Sequence, residues 1–117
     1  MLDREEYIEQ AYFFRALGRR LADNLPMQEV LGSVKEEILA TTKLPMAVDY
    51  MLSELLHAGT ISTAMAKLSH YFTPFQSYIM SEAESERGRF DFRVALVILQ
   101  REAEYRAEGK SPQGMFM

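Results

Sequence analysis

Cysteine is absent from the 117-residue chain, which rules out disulfides, thiolate nucleophiles and metal sites built on thiolates. Long apolar runs are absent as well, since none approaches the roughly 18 residues that a membrane-spanning helix needs. The first residues, from Met1 to Glu6, are too acidic and polar for a signal peptide. We therefore expect a cytoplasmic protein.

A surplus of positive charge is also missing. Lys and Arg total 13 against 17 Asp and Glu, which gives a formal net charge of -4. A protein that neutralises many phosphates normally carries a surplus of cations, so nucleic acid is disfavoured as a partner. The 48% of hydrophobic and 26% of charged residues are typical of a globular protein. The length predicts a single domain, placed at residues 1–109, followed by a tail at 110–117 that is either truncated or docks on a partner.

The hydrophobic periodicity predicts an all-α protein, a compact bundle of five or six helices. Its centre is a helix that begins at Pro74 and runs towards Glu86. Thr73 and Gln76 form a capping-box pattern at its start, and proline suits the first helical position. The residues predicted to face the core from this helix are Phe75, Tyr78, Ile79 and Ala83.

The first helix is predicted to start at Asp3, which makes a second capping-box pattern with Glu6. Gly18 lies within its apolar stripe and is predicted to permit close approach of another helix. The stripe comprises Tyr7, Ala11, Phe14, Gly18, Leu21 and Leu25, and the predicted solvated face comprises Glu5, Glu9, Arg19, Arg20 and Asp23.

Four further segments complete the prediction. A second helix is expected from Pro26 or Met27 to Ala40. A third is expected from Pro45 to Ala58, with Gly59 as its left-handed end, and its nearly continuous apolar surface predicts the most buried helix of the set. A short helix then starts at Ser62 or Thr63, and the last helix is capped by Asp91. Gly88 is expected to form a turn between the central and last helices, although one continuous helix is the alternative.

A candidate metal site rests on Glu54 and His57. Their spacing is that by which one helix supplies a carboxylate and an imidazole to a di-iron centre. That architecture needs a second such motif, and the only other histidine, His70, has no glutamate at the required offset. No cofactor is therefore the leading expectation, and iron or another divalent metal held by Glu54, His57 and His70 is the alternative.

Asp49, Ser53 and His57 also share one helix face, but side chains that point in parallel do not converge into a catalytic triad. Residues 54–68 follow the rhythm of a helix-turn-helix. The would-be recognition helix offers Lys67 as its one cation and carries no Arg, Asn or Gln for base edges. DNA binding is the weaker alternative to a tight corner between two helices.

Two resemblances bear on the fold. Residues 36–45 and 69–76 resemble a family of uncharacterised bacterial helical proteins whose members are longer, and this implies a truncated or naturally short form without implying an activity. Residues 59–62, followed by Tyr71 and Phe72, resemble helical bundles of the haem-oxygenase type. The second resemblance implies an apolar-ligand pocket among the methionines and aromatics, with plain core packing as the alternative.

The distribution of apolar residues favours a non-enzymatic structural or interaction domain. More apolar surface is predicted than 117 residues can cover, and leftover patches usually mark interfaces. We therefore expect a homo-oligomer or a protein partner, and no membrane. The predicted interface residues are Val94, Val97 and Ile98 on the last helix and Met115, Phe116 and Met117 in the tail.

Overall fold

The computed structural model describes residues 2–23, 25–38, 41–85 and 91–109 of the chain. The described part is all-α and contains no strand, so the predicted helical bundle is confirmed. Its six helices are α1 (Arg4–Leu21), α2 (Met27–Lys35), α3 (Leu44–Ala58), α4 (Ser62–Lys67), α5 (Pro74–Glu84) and α6 (Phe92–Ala107). None of these helices is long and apolar enough to cross a lipid bilayer.

The helices close into a ring around one core, because each packs on the next along the chain and α6 returns to α1. The contact between α1 and α6 is the most extensive of the set, and the two helices are antiparallel. Arg4 at the start of α1 donates from Nε to the carbonyl of Ala107 at 2.8 Å. Towards the other end of α1, Gly18 faces Leu96. A Cβ at Gly18 would lie 3.8 Å from Leu96, an ordinary contact, so the approach does not require glycine.

The core contains residues from every helix and from the connections between α2 and α3 and between α4 and α5. Three phenylalanines, Phe13, Phe14 and Phe72, are almost completely buried. The other large side chains that lose nearly all contact with solvent are Leu17, Leu31, Leu44, Met51, Ile61, Met65, Met80, Leu96 and Leu99.

Three of the predicted helix ends are confirmed. The Thr73 hydroxyl accepts from the Gln76 backbone N–H at 3.2 Å, and the Gln76 side chain accepts from the Thr73 backbone N–H at 2.8 Å, which completes the capping box. Asp91 accepts from the backbone N–H of Arg93 at 2.7 Å. Gly59 ends α3 in the left-handed region, with φ of 80°.

Two predicted caps are wrong. Asp3 precedes α1 but its side chain makes no capping bond, and the Glu6 carboxylate accepts from the backbone N–H of Lys43 instead of that of Asp3. Neither Ser62 nor Thr63 caps α4. Its start is capped instead by Glu84 of α5, whose carboxylate accepts from the backbone N–H groups of Ile61 at 2.7 Å and Ser62 at 3.1 Å.

Several predictions of burial are also wrong. The side of α5 that faces the core carries Gln76, Ile79 and Met80, whereas Phe75 and Tyr78 are 44% and 48% exposed. α3 is not the most buried helix, because its outward side has no neighbour among the described residues. Met46 and Leu56 on that side are 75% and 66% exposed.

Three smaller corrections concern α1, α2 and α5. Glu9 is buried, although it was predicted to lie on a solvated face. Leu25 is exposed and lies outside α1. α2 ends at Lys35 and α5 at Glu84, before the predicted ends at Ala40 and Glu86. Ala40, Glu86 and the predicted turn at Gly88 lie outside the described residues.

We expect Phe14→Ala to lower the free energy of unfolding by about 3–5 kcal/mol, because it leaves a cavity in a fully buried site. Phe75→Ala is the matched control and should cost less than about 1 kcal/mol, because its ring is half exposed. Urea unfolding followed by circular dichroism compares the two variants. Equal losses would contradict the assignment of core and surface.

Candidate functional site

The predicted metal ligand Glu54 is engaged by α4. Its carboxylate accepts from the ammonium group of Lys67 at 2.9 Å and from the hydroxyl of Thr63 at 3.2 Å. The hydrogen bond from Lys67 lowers the pKa of Glu54 below its ordinary value. These contacts connect the end of α3 to α4. They form the tight corner between two helices that was predicted for residues 54–68 as the alternative to DNA binding.

The two histidines lie at the surface. His57 makes a hydrogen bond of 2.8 Å between Nδ1 and the backbone carbonyl of Ser53, and His70 is exposed in the turn after α4. Asp49, on the same helix as His57, forms an ion pair with Lys35 of α2. In the described part of the chain no three His, Cys, Asp or Glu side chains are grouped so that they could hold a metal ion. The site built from Glu54, His57 and His70 therefore stays a prediction of the sequence.

A buried polar cluster, centred on the Glu6 carboxylate of α1, was not predicted. Both oxygens of Glu6 accept from the backbone N–H of Lys43, Oε2 at 2.9 Å and Oε1 at 3.0 Å. The hydroxyl of Tyr71 donates to Oε1 of Glu6 at 3.1 Å. Burial above all raises the pKa of Tyr71 from its ordinary value of 10.0, and the neighbouring Glu6 adds to the effect. The phenol therefore stays protonated and remains a donor.

Two buried amides lie on the same side of α1. Gln76 donates from Nε2 to Oε1 of Gln10 at 2.9 Å, and both side chains are 1% exposed or less. Gln76 thus serves twice, since its oxygen also completes the capping box with Thr73. The sequence pattern at Glu6 and Gln76 predicted local helix caps, and the pattern at Tyr71 predicted aromatic core. It therefore did not predict the hydrogen bonds between distant residues. The cluster connects α1 and α5 to the segments before α3 and α5, so its role is structural.

The outer side of α6 exposes apolar side chains. Val94 and Val97 are each 49% exposed, and Tyr105 is 41% exposed. Ile98 is half-buried and packs against the core, so less of its side chain is exposed for the predicted interface. We call Val94, Val97 and Tyr105 the outer α6 face. The other predicted interface residues, Met115, Phe116 and Met117, lie outside the described residues.

The seam between α1 and α6 borders this face and contains two recesses. One, of about 210 Å³, lies near Gly18 and is lined by Arg15, Arg19 and Arg93. The other, of about 520 Å³, lies towards the end of α6 and is lined by Ile8, Glu104 and Glu108, among others. Both recesses are bordered by Arg15 and Gln100, so they form one continuous groove. Arg19 and Arg93 thus lie at one end of this groove, Glu104 and Glu108 lie at the other, and Arg15 lies between them.

A scan against protein-family models, a search of curated proteins and a search of solved structures found no match to this chain. The resemblances to bacterial helical proteins and to bundles of the haem-oxygenase type therefore remain predictions. Geometry and charge are what support a functional assignment.

We expect Tyr71→Phe to lower the free energy of unfolding by about 1–3 kcal/mol, because the buried Glu6 carboxylate loses a donor. Tyr78→Phe removes the same hydroxyl from a half-exposed residue and should change stability by less than about 0.5 kcal/mol. Urea unfolding at pH 7 measures both. If the two variants match, the hydrogen bond to Glu6 contributes nothing to stability.

Glu102 on α6 predicts a pH dependence. Burial raises its pKa above the ordinary value of 4.5, although Arg106 donates to its Oε2 at 3.4 Å. A raised pKa in the folded state means that the stability contributed by protonated Glu102 is present at low pH and is lost as the pH rises through that pKa. Glu102→Gln should therefore gain stability relative to the natural protein from pH 4 to pH 7. Thermal melts across this range test it, and a difference that is constant with pH would contradict it.

Proposed function

We propose that this protein is a non-enzymatic structural or interaction domain that self-associates or joins a larger assembly through the outer α6 face. The observation that supports this function is the half exposure of Val94, Val97 and Tyr105 on one side of a helix whose other side is fully packed. Burial of such side chains yields roughly 25 cal/mol for each Å² of apolar surface removed from water.

The residue types at these positions support the proposal. β-branched valine is a poorer helix former than alanine, glutamate or lysine, so exposed helix positions gain no stability from it. Val94 and Val97 are therefore not accounted for by the stability of α6 itself. A partner surface that covers them gives them a role.

The side chains that could carry out chemistry also support a non-enzymatic role. Glu54 is occupied by Thr63 and Lys67, and His57 is bonded to its own helix. The buried carboxylate of Glu6 accepts from the Lys43 backbone and the Tyr71 hydroxyl, and these bonds connect distant parts of the fold. Each of these groups has a structural partner that explains its position.

The test pairs Val94→Gln/Val97→Gln on α6 with the control Met46→Gln/Leu56→Gln on the outward side of α3. Both pairs remove exposed apolar side chains, and glutamine is a good helix former, so both variants should fold. We expect the α6 variant to weaken self-association at least tenfold and the α3 control to leave it unchanged. Sedimentation equilibrium over a range of concentrations measures the association constants.

Native mass spectrometry of protein purified without chelator gives the second readout. A clean oligomer without added mass is the expected result. A reproducible excess equal to one or two metal ions, lost in Glu54→Ala/His57→Ala, would contradict the proposal and favour the metal site of Glu54, His57 and His70. A natural protein that stays monomeric at every concentration, with no assembly partner, would also contradict it.

A further inference from the structure

Three arginines line the recess near Gly18, between the second half of α1 and the first turns of α6. They are Arg15, Arg19 and Arg93, and all three are exposed. No acidic side chain among the described residues lines this recess. None of the three guanidinium groups forms an ion pair with any residue that the structure describes. Three positive charges thus share one concave surface.

The stability of α6 does not explain Arg93. This residue lies in the first turn of α6, where the helix dipole favours acidic side chains over basic ones. The cap Asp91 accepts from the backbone N–H of Arg93 at 2.7 Å, so its carboxylate is engaged with the helix start. Clustered like charges repel each other. An anion that binds between the three arginines would offset this repulsion.

Gly18 keeps the recess open. Glycine inside a helix lowers helix propensity relative to alanine. The packing of α1 on α6 does not require it, because a Cβ would lie 3.8 Å from Leu96. Gly18 lies between Arg15 and Arg19 in the chain, and it lines the recess together with Phe14 and Leu96. A large side chain at this position would fill the space that the arginines border.

We propose that this recess binds a phosphomonoester, with the phosphoryl group at Arg15, Arg19 and Arg93 and the organic group against Val97. Near pH 7 a phosphomonoester carries a charge of about −1.5 to −2 and presents three acceptor oxygens. The planar donor fork of arginine matches these oxygens. A carboxylate has one negative charge and two oxygens, so it would compensate less of the positive charge. The inference does not depend on the proposed self-association.

The dimensions of the recess favour a small ligand. Its volume of about 210 Å³ is smaller than the roughly 300–1,000 Å³ of pockets that enclose drug-sized molecules. Val97 lines the recess and is 49% exposed, so it offers an apolar contact to the group that bears the phosphate. For phenyl phosphate, which has one phosphoryl group and one ring, we expect a dissociation constant of about 1 mM or lower.

The test is a titration of ¹⁵N-labelled protein with phenyl phosphate, followed by NMR. We expect the amide signals of Gly18 and Val97 to shift and to give the dissociation constant. Arg93→Gln should raise this constant at least fivefold. Lys43→Gln is the matched control, because it also removes one positive charge from an exposed residue, and it lies outside the recess. The control should stay within about twofold of the natural protein.

Gly18→Leu tests the shape of the recess while it keeps all three arginines. The leucine side chain should occupy the recess and raise the dissociation constant at least tenfold. Gly32→Leu is its control, since Gly32 lies inside α2 and a Cβ there would meet no other atom within 4 Å. It should bind like the natural protein. Far-UV circular dichroism verifies the helical content, and Arg93→Gln decides the test if Gly18→Leu does not fold.

Two further probes identify the ligand class and its source. Benzoate replaces the phosphoryl group with a carboxylate and should bind at least tenfold more weakly than phenyl phosphate. A short peptide that contains phosphoserine presents the same phosphoryl group on a protein chain. If the peptide binds at least tenfold more tightly than phenyl phosphate, the phosphomonoester belongs to a partner protein. Otherwise it belongs to a small molecule.

Three results would overturn the inference. They are a dissociation constant for phenyl phosphate above about 10 mM, equal binding of benzoate, and unchanged binding in both Arg93→Gln and Gly18→Leu. Each of them leaves the proposed self-association standing, because the sedimentation measurements on the outer α6 face are made without the ligand.

Discussion

A carboxylate that is removed from water must be supplied with hydrogen-bond donors, and in this protein that constraint falls on Glu6. Its donors are the backbone N–H of Lys43, at the start of α3, and the hydroxyl of Tyr71, in the segment before α5. These three positions are far apart in the chain, so the pairing fixes where α1 lies relative to both segments. The same constraint applies to Gln10 and Gln76, because buried amides also need hydrogen-bond partners. Their pairing fixes α5 against α1.

Local signals in the sequence predicted the parts of the fold that depend on neighbours in the chain. Thr73 with Gln76, Asp91 and Gly59 mark helix ends through bonds or backbone geometry within a few residues, and all three were correct. Glu6 has the spacing of a cap for its own helix, yet it bonds 37 and 65 residues away. Spacing cannot distinguish these outcomes, because a tertiary donor competes for the same oxygen. Glu84, which caps α4 from α5, was missed for the same reason.

Burial could be predicted only where a helix has one apolar side. α3 is apolar almost all round, so its sequence does not show which side its neighbours cover, and Met46 and Leu56 remain outside. In α5 the hydrophobic pattern predicted that Phe75 faces the core. Phe75 is half exposed instead, and the neighbouring Gln76 is buried because it pairs with Gln10. The site shows the same limit. Val94 and Val97 were predicted at an interface from leftover apolar area, whereas the charged groove beside them depends on how α1 and α6 pack.

Exposed apolar residues alone do not single out α6, since the outward sides of α3 and α5 carry them too. What distinguishes α6 is that two of its exposed apolar residues, Val94 and Val97, are β-branched, and β-branched side chains lower helix propensity. On α3 the exposed Met46 and Leu56 are good helix formers, so the stability of that helix accounts for them. The charges on the groove beside α6 do not add to this distinction, because Glu104 accepts from Nε2 of Gln100 within the chain at 3.3 Å. The proposed association through the outer α6 face therefore depends on where β-branched residues lie on an exposed helix side, more than on the charges beside them.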